Sequence, residues 1–171
     1  MTTRNELLQD LKTIRYEFQM LAATADRLAS GRYSRDTAVK NALIGSFALH
    51  ARALLHFFYW DAKGRNGNSL FGRKQANDVI AEDFFSVHRK TWARRPKTTP
   101  TLVRAKHRAD KQIAHITHTQ RPLNTPKARG KTWHFQTIVK HLSRAMKSFL
   151  DNAPQLDTAV SVEIRRTLEH A

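Results

Sequence analysis

The sequence predicts an all-α protein: a single-domain helical bundle of about four long helices plus short helices. Three observations carry that prediction. Four segments repeat apolar residues at spacings of three and four, and none alternates with the period of two that a half-buried strand requires. Six Gly and five Pro are too few turn formers for a sandwich of many short strands. A chain of 171 residues with 40% hydrophobic residues can bury one proper core.

The first helix is expected over Arg4–Ala29, where Leu7, Leu8, Leu11, Ile14, Phe18, Leu21, Ala25 and Leu28 form one stripe and Ser30-Gly31 supplies the stop. The second starts at an Asp36 or Thr37 cap and reaches Ala62, ending at Lys63-Gly64. Its stripe of Leu43, Phe47, Ala51, Leu54 and Phe58 is widened by Ile44, Ala48, Leu55 and Tyr59. A helix this apolar around its girth belongs inside a bundle. The stretch 42–60 is nearly long enough to span a bilayer, but His50, Arg52 and His56 sit in its middle. The N-terminus carries Arg4, Glu6 and Asp10 and lacks the apolar run of a signal peptide. The expectation is a cytoplasmic protein without a membrane partner.

Residues 63–75, rich in Gly, Asn and Arg, read as a loop. Asn77 or Asp78 is expected to cap a short helix reaching Phe84, and 86–99 is expected to be a basic loop. Thr99-Pro100 opens the next helix, since Pro at the first helical position sacrifices no hydrogen bond. That helix should reach about Thr119, with Leu102, Ala105, Ala109, Ile113 and Ile116 facing the core. Pro122, Pro126 and Gly130 place a loop over 119–132. The fourth long helix is expected from Trp133 to about Asn152, with Phe135, Ile138, Val139, Leu142, Ala145, Met146 and Phe149 inward. After Pro154, a short terminal helix is expected over 158–169.

Charge divides the domain. Residues 86–147 hold 16 Lys plus Arg against one acid, Asp110, for a net of +15; the rest holds 14 against 13, a net of +1. Residues 1–85 therefore read as a near-neutral scaffold and 86–147 as a strongly basic half. Like charges at that density repel one another unless an anion is present, and nucleic acid is the anion most often bound by such a chain. Arg104, Arg108, Lys111, His115 and His118 share one face of the helix that opens at Pro100. Lys140, Arg144 and Lys147 form a second polar stripe, and Arg121 lies in the basic loop between the two helices. Trp92 and Trp133 lie among these charges, where an aromatic face could stack on an unpaired base.

Arg108 and His115 lie two helical turns apart with Lys111 between them. This pair resembles the Arg-x4–6-His signature of the HEPN superfamily, and two long N-terminal helices before a motif helix resemble its general plan. The chain departs from the family pattern at Ala109, where a polar residue is usual. The resemblance implies a small all-α ribonuclease of toxin–antitoxin or phage-defence systems, metal-independent and often dimeric. It also implies that RNA is the partner rather than DNA. His115 would then be the base or acid in cleavage by the 2′-hydroxyl, while Arg108 and Lys111 hold the non-bridging oxygens. The alternative reading is a non-catalytic interaction protein whose basic face binds an acidic protein partner.

His50 and Arg52 are polar residues in the apolar second helix, and Arg52 there calls for a carboxylate, with Asp110, Glu82 and Asp83 as candidates. Asp110 lies about 200° around its helix from Arg108, so it is expected to pair with a cation on a neighbouring element. This set reads first as a buried or half-buried ion pair that fixes the bundle's register; if the second helix packs on the motif helix, His50 and Arg52 could instead complete the site. No cofactor is expected. The absence of Cys excludes thiol catalysis and every Cys-based zinc site. Neither His-Glu-x2-His nor Glu-x2-His occurs, so His115-x2-His118 is not read as a metal site.

Overall fold

In the computed structural model the apolar stripes become helices. The structure describes residues 4–61, 70–71, 75, 77–86, 92–114, 133–153, 161–162 and 165–166. Among them the helices are α1 (Arg4–Ala29), α2 (Thr37–Tyr59), α3 (Asp83–Ser86), α4 (Pro100–Ala114) and α5 (Phe135–Asn152), with no strand. The all-α expectation holds. The Asp36 carboxylate accepts from the Val39 backbone N–H at 3.0 Å and so caps α2. Gly31, just past the end of α1, adopts φ +67°, a left-handed conformation that a side chain would strain. Thr99 caps α4, its hydroxyl oxygen accepting from the Leu102 N–H at 3.3 Å.

α2 packs against α1 and α4, and α5 closes the ring by packing against both of those helices. Side-chain pairs give the directions. Glu17 meets His50, Asp26 meets Gln136, and Arg52 meets Asp110. Phe47 touches Trp133 and Phe135, while Phe57 touches Phe149. α1 and α4 therefore run one way and α2 and α5 the other: an up-down-up-down four-helix arrangement with antiparallel neighbours.

The core is one cluster. Leu11, Phe18, Leu21, Phe47, Phe58, Leu142, Met146 and Phe149 are all fully enclosed. Phe149 is its hub, with ring centroids of Phe57, Phe84, Phe85 and Trp92 between 5.2 and 6.0 Å away. Most of these contacts are edge-to-face, the geometry that the ring quadrupole favours. Through them α3 and the segment around Trp92 are fastened to α2 and α5.

Three boundaries differ from the expectation. α2 stops at Tyr59 rather than Ala62, and the Phe57 carbonyl instead accepts from the Ala81 N–H at 2.9 Å. The helix expected to start at Asn77 or Asp78 begins only at Asp83. Asp78 turns back to accept from the Gln75 N–H, Asp83 accepts from Ile80, and Ala81 is engaged by α2, so no helical ladder starts there. α5 begins at Phe135, two residues late, because Trp133 is packed beneath Phe47 and Phe135. The last turn expected for α4, with Ile116, and most of the expected terminal helix lie outside the described residues.

Phe149→Ala removes the hub of the aromatic cluster. The expected loss of stability in urea denaturation is about 3–5 kcal/mol, whereas Asp36→Ala, which removes only a cap, should lose about 1 kcal/mol.

Candidate functional site

α4 carries the sequence motif and is amphipathic: Leu102, Ala105 and Ala109 are buried, while Arg104, His107 and Lys111 are exposed. Arg108 is intermediate. Its guanidinium carbon lies 4.9 Å from the centroid of the Trp133 ring, a cation–π contact. Burial pushes its pKa down from the usual arginine value, and it forms no ion pair among the described residues. A half-desolvated guanidinium without a carboxylate is a site where an anion would be favoured. His115, His118 and Arg121 lie outside the described residues.

Asp110 faces away from Arg108, as the helical angle requires. It accepts from Arg52 Nε on α2 at 2.9 Å, and Lys106 Nζ lies 2.6 Å from its other oxygen. Arg52 thus finds one of its expected carboxylates. Its side chain is 55% exposed, however, so the pair is a surface latch between α2 and α4 rather than a buried bridge. His50 does not join this group. Two residues along α2 from Arg52, it lies about 200° around the helix, is 6% exposed, and meets Glu17 of α1 through Nδ1 at 2.7 Å. The expectation that His50 supports the motif is corrected: it fixes α2 against α1.

The two tryptophans also depart from expectation. Trp92 is 6% exposed and stacks on Phe85, with its indole N–H donating to Ser148 Oγ at 3.3 Å. Trp133 is 7% exposed and stacked on Phe135, with Arg108 over its ring. Neither offers a free face to a base: Trp92 anchors the segment that carries Arg94, Arg95 and Lys97, and Trp133 packs beneath Arg108 of α4.

The charge instead gathers at the other end of α4. A cleft of about 430 Å³ lies there, lined by Tyr59, Arg94, Lys97, Thr99, His141 and Arg144, with Pro96, Leu102 and Ser148 completing its walls. The residues of segment 92–97 are held in place from several sides. Ser148 Oγ donates to the Arg94 carbonyl at 2.8 Å. The Arg95 guanidinium donates twice to Asp61, at 2.7 and 2.8 Å, and also to Glu82. Desolvation pushes the Glu82 carboxyl up against the opposing pull of Arg95. Arg95 is thereby neutralised inside the fold. Arg94, Lys97 and Arg144 are exposed and have no ion-pair partner among the described residues.

Tyr59 is 2% exposed, and its hydroxyl makes no hydrogen bond among the described residues. Burial pushes its pKa up to about 12, against the lowering effect of Arg95 and Arg144. At neutral pH it is therefore a donor. The sequence places Arg94 and Lys97 in a basic loop and Arg144 on a polar stripe but hides their convergence and the part of Tyr59 and His141. Tyr59 reads as core and His141 as one of many histidines; only the antiparallel pairing of α4 with α5 and the fastening of segment 92–97 bring them together.

Among the described residues, no three His, Asp or Glu side chains gather as metal ligands. No protein-family model, curated protein or solved structure matches this chain.

The Tyr59 hydroxyl makes stability sensitive to alkali. Unfolded, it ionises near pH 10; folded, near pH 12. Between those values the unfolded state binds fewer protons, so stability falls as pH rises. Relative to Tyr59→Phe, the wild-type protein should lose on the order of 1 kcal/mol between pH 8 and pH 11. Urea denaturation of both proteins at the two pH values measures the difference; parallel losses would show that Tyr59 ionises as freely in the folded protein as in the unfolded one.

Proposed function

We propose that this protein binds nucleic acid through its basic half, RNA in preference to DNA, the preference following from the HEPN resemblance. One observation carries the reading. Arg94, Lys97, Arg104, Lys140, Arg144 and Lys147 are exposed on segment 92–97, α4 and α5, and none forms an ion pair among the described residues. Asp110, the one acid of the basic half, is committed to Arg52 and Lys106 and does not neutralise them. Phosphates would relieve the mutual repulsion, and their binding would release counterions.

The sharper form of this reading is a metal-independent ribonuclease, and the surroundings of Arg108 support it. Its guanidinium is half-buried and unpaired among the described residues, suited to holding a non-bridging phosphate oxygen. His115, on the same sequence face, would accept the 2′-hydroxyl proton or donate one to the leaving oxygen. The 2′-oxygen forms its bond to phosphorus as the bond to the 5′-oxygen breaks, leaving a cyclic phosphate and a 5′-hydroxyl.

Affinity for a generic single-stranded RNA should fall with salt, with a log–log slope of several units. Lys140→Gln with Lys147→Gln should reduce that slope by roughly 0.7 for each phosphate that is no longer neutralised. No binding at low salt would overturn the nucleic-acid reading and leave the acidic-protein alternative.

For cleavage, purified protein is incubated with RNA in the presence of a chelator. His115→Ala is expected to abolish cleavage while RNA affinity stays within a few-fold. Arg108→Ala should impair cleavage and weaken binding modestly. Equal cleavage by wild type and His115→Ala would remove the enzymatic form of the proposal.

A further inference from the structure

We infer that the cleft between the start of α4 and the middle of α5 is a binding site for a phosphomonoester, either the phosphorylated end of a nucleic acid or a free nucleotide. The inference rests on the nucleic-acid reading for its biological setting but stands on its own geometry. At about 430 Å³ the cleft falls in the range of small-ligand pockets rather than that of a long groove tracking a backbone. Two guanidiniums and an ammonium, from Arg94, Arg144 and Lys97, border it without acidic partners among the described residues.

The first turn of α4 lies at the same cleft through Thr99 and Leu102, adding the positive end of a 15-residue helix. Tyr59, only 2% exposed, lines it with a hydroxyl that has no partner among the described residues. A donor at the cleft with no acceptor of its own is free to donate to a ligand oxygen.

The number of donors selects the monoester. A phosphodiester offers two non-bridging oxygens and one negative charge, while a phosphomonoester offers three oxygens and up to two charges. Three cations, a helix N-terminus and a tyrosine hydroxyl exceed what a diester can satisfy and match a monoester better. Pro96 and Leu102 supply apolar wall for the group that carries the phosphate.

Segment 92–97 is already fastened by Ser148, Asp61 and Glu82, so the site exists before the ligand arrives.

The test compares one short single-stranded RNA with a 5′-phosphate or a 5′-hydroxyl, in fluorescence anisotropy at about 0.1 M salt, with uridine 5′-monophosphate as a separate competitor. The phosphorylated RNA is expected to bind about tenfold tighter. Tyr59→Phe and Lys97→Gln should each shrink that ratio; Tyr59→Phe keeps the core shape, and Lys97→Gln alters only an exposed side chain. Competition by the mononucleotide would show that the phosphomonoester alone suffices, and its failure beside a strong end preference would assign the site to nucleic-acid ends. Equal affinity for the two RNAs with no mononucleotide binding overturns the inference while leaving RNA binding intact. Mononucleotide binding, read directly by isothermal titration calorimetry, to a protein that holds neither RNA overturns the nucleic-acid reading and leaves the cleft as inferred.

Discussion

The arrangement of the cationic half depends on the packing of aromatic rings around Phe149. This residue sits in the last turns of α5, touches Phe57 of α2, and holds Phe84, Phe85 and Trp92 against the bundle. These contacts join the one-turn helix α3 and the non-helical segment around Trp92 to the long helices, and chain of this kind has few backbone bonds of its own to order it. The neighbouring Ser148 extends the attachment by bonding both the Trp92 indole and the Arg94 carbonyl. The hydrophobic effect thus positions the cations: a buried indole fastens a segment whose next residues include Arg94, Arg95 and Lys97.

The second determinant is where the acids go. Glu17 meets His50, Asp110 holds Arg52 and Lys106, and Asp61 with Glu82 holds Arg95. Each of these pairings joins two different elements or reinforces one helix, and each removes an acid from the pool that could neutralise the remaining cations. Among the described residues, the excess positive charge is left on segment 92–97, α4 and α5. A chain organised this way is stable as a bundle and still favours an anion on one half, since a ligand that binds only the folded form adds its binding free energy to stability.

Much of this was legible in the sequence, and the parts that were not have physical reasons. The stripes of α1 and α5 are regular because each faces one side of the core, so their inward residues follow from a 3.6-residue period. The Arg52–Asp110 pair was readable because an arginine in an apolar helix and a lone acid in a basic segment each call for a partner. The pairing of His50 with α1 was not readable, since neither its helix angle nor its chemistry names Glu17 before the packing order is known. Trp92 and Trp133 misled because an aromatic residue among charges has the same sequence signature whether it stacks on a base or anchors a loop. The end of α2 and the start of α3 depend on the Ala81 to Phe57 hydrogen bond, a contact between segments far apart in sequence. The cleft depends on four segments at once, so no local pattern announces it.

With the charge distributed in this way, anionic ligands should meet segment 92–97 and the exposed sides of α4 and α5, and leave the α1 side untouched. Backbone amide chemical shifts of isotopically labelled protein, titrated with single-stranded RNA at low salt, report this residue by residue. The expected shifts concentrate at residues 94–104 and 140–147 and near Arg108, with the exposed residues of α1 such as Tyr16 unmoved. Shifts centred on α1 and the first turns of α2, or none at saturating RNA, would be incompatible with a basic half that binds anions.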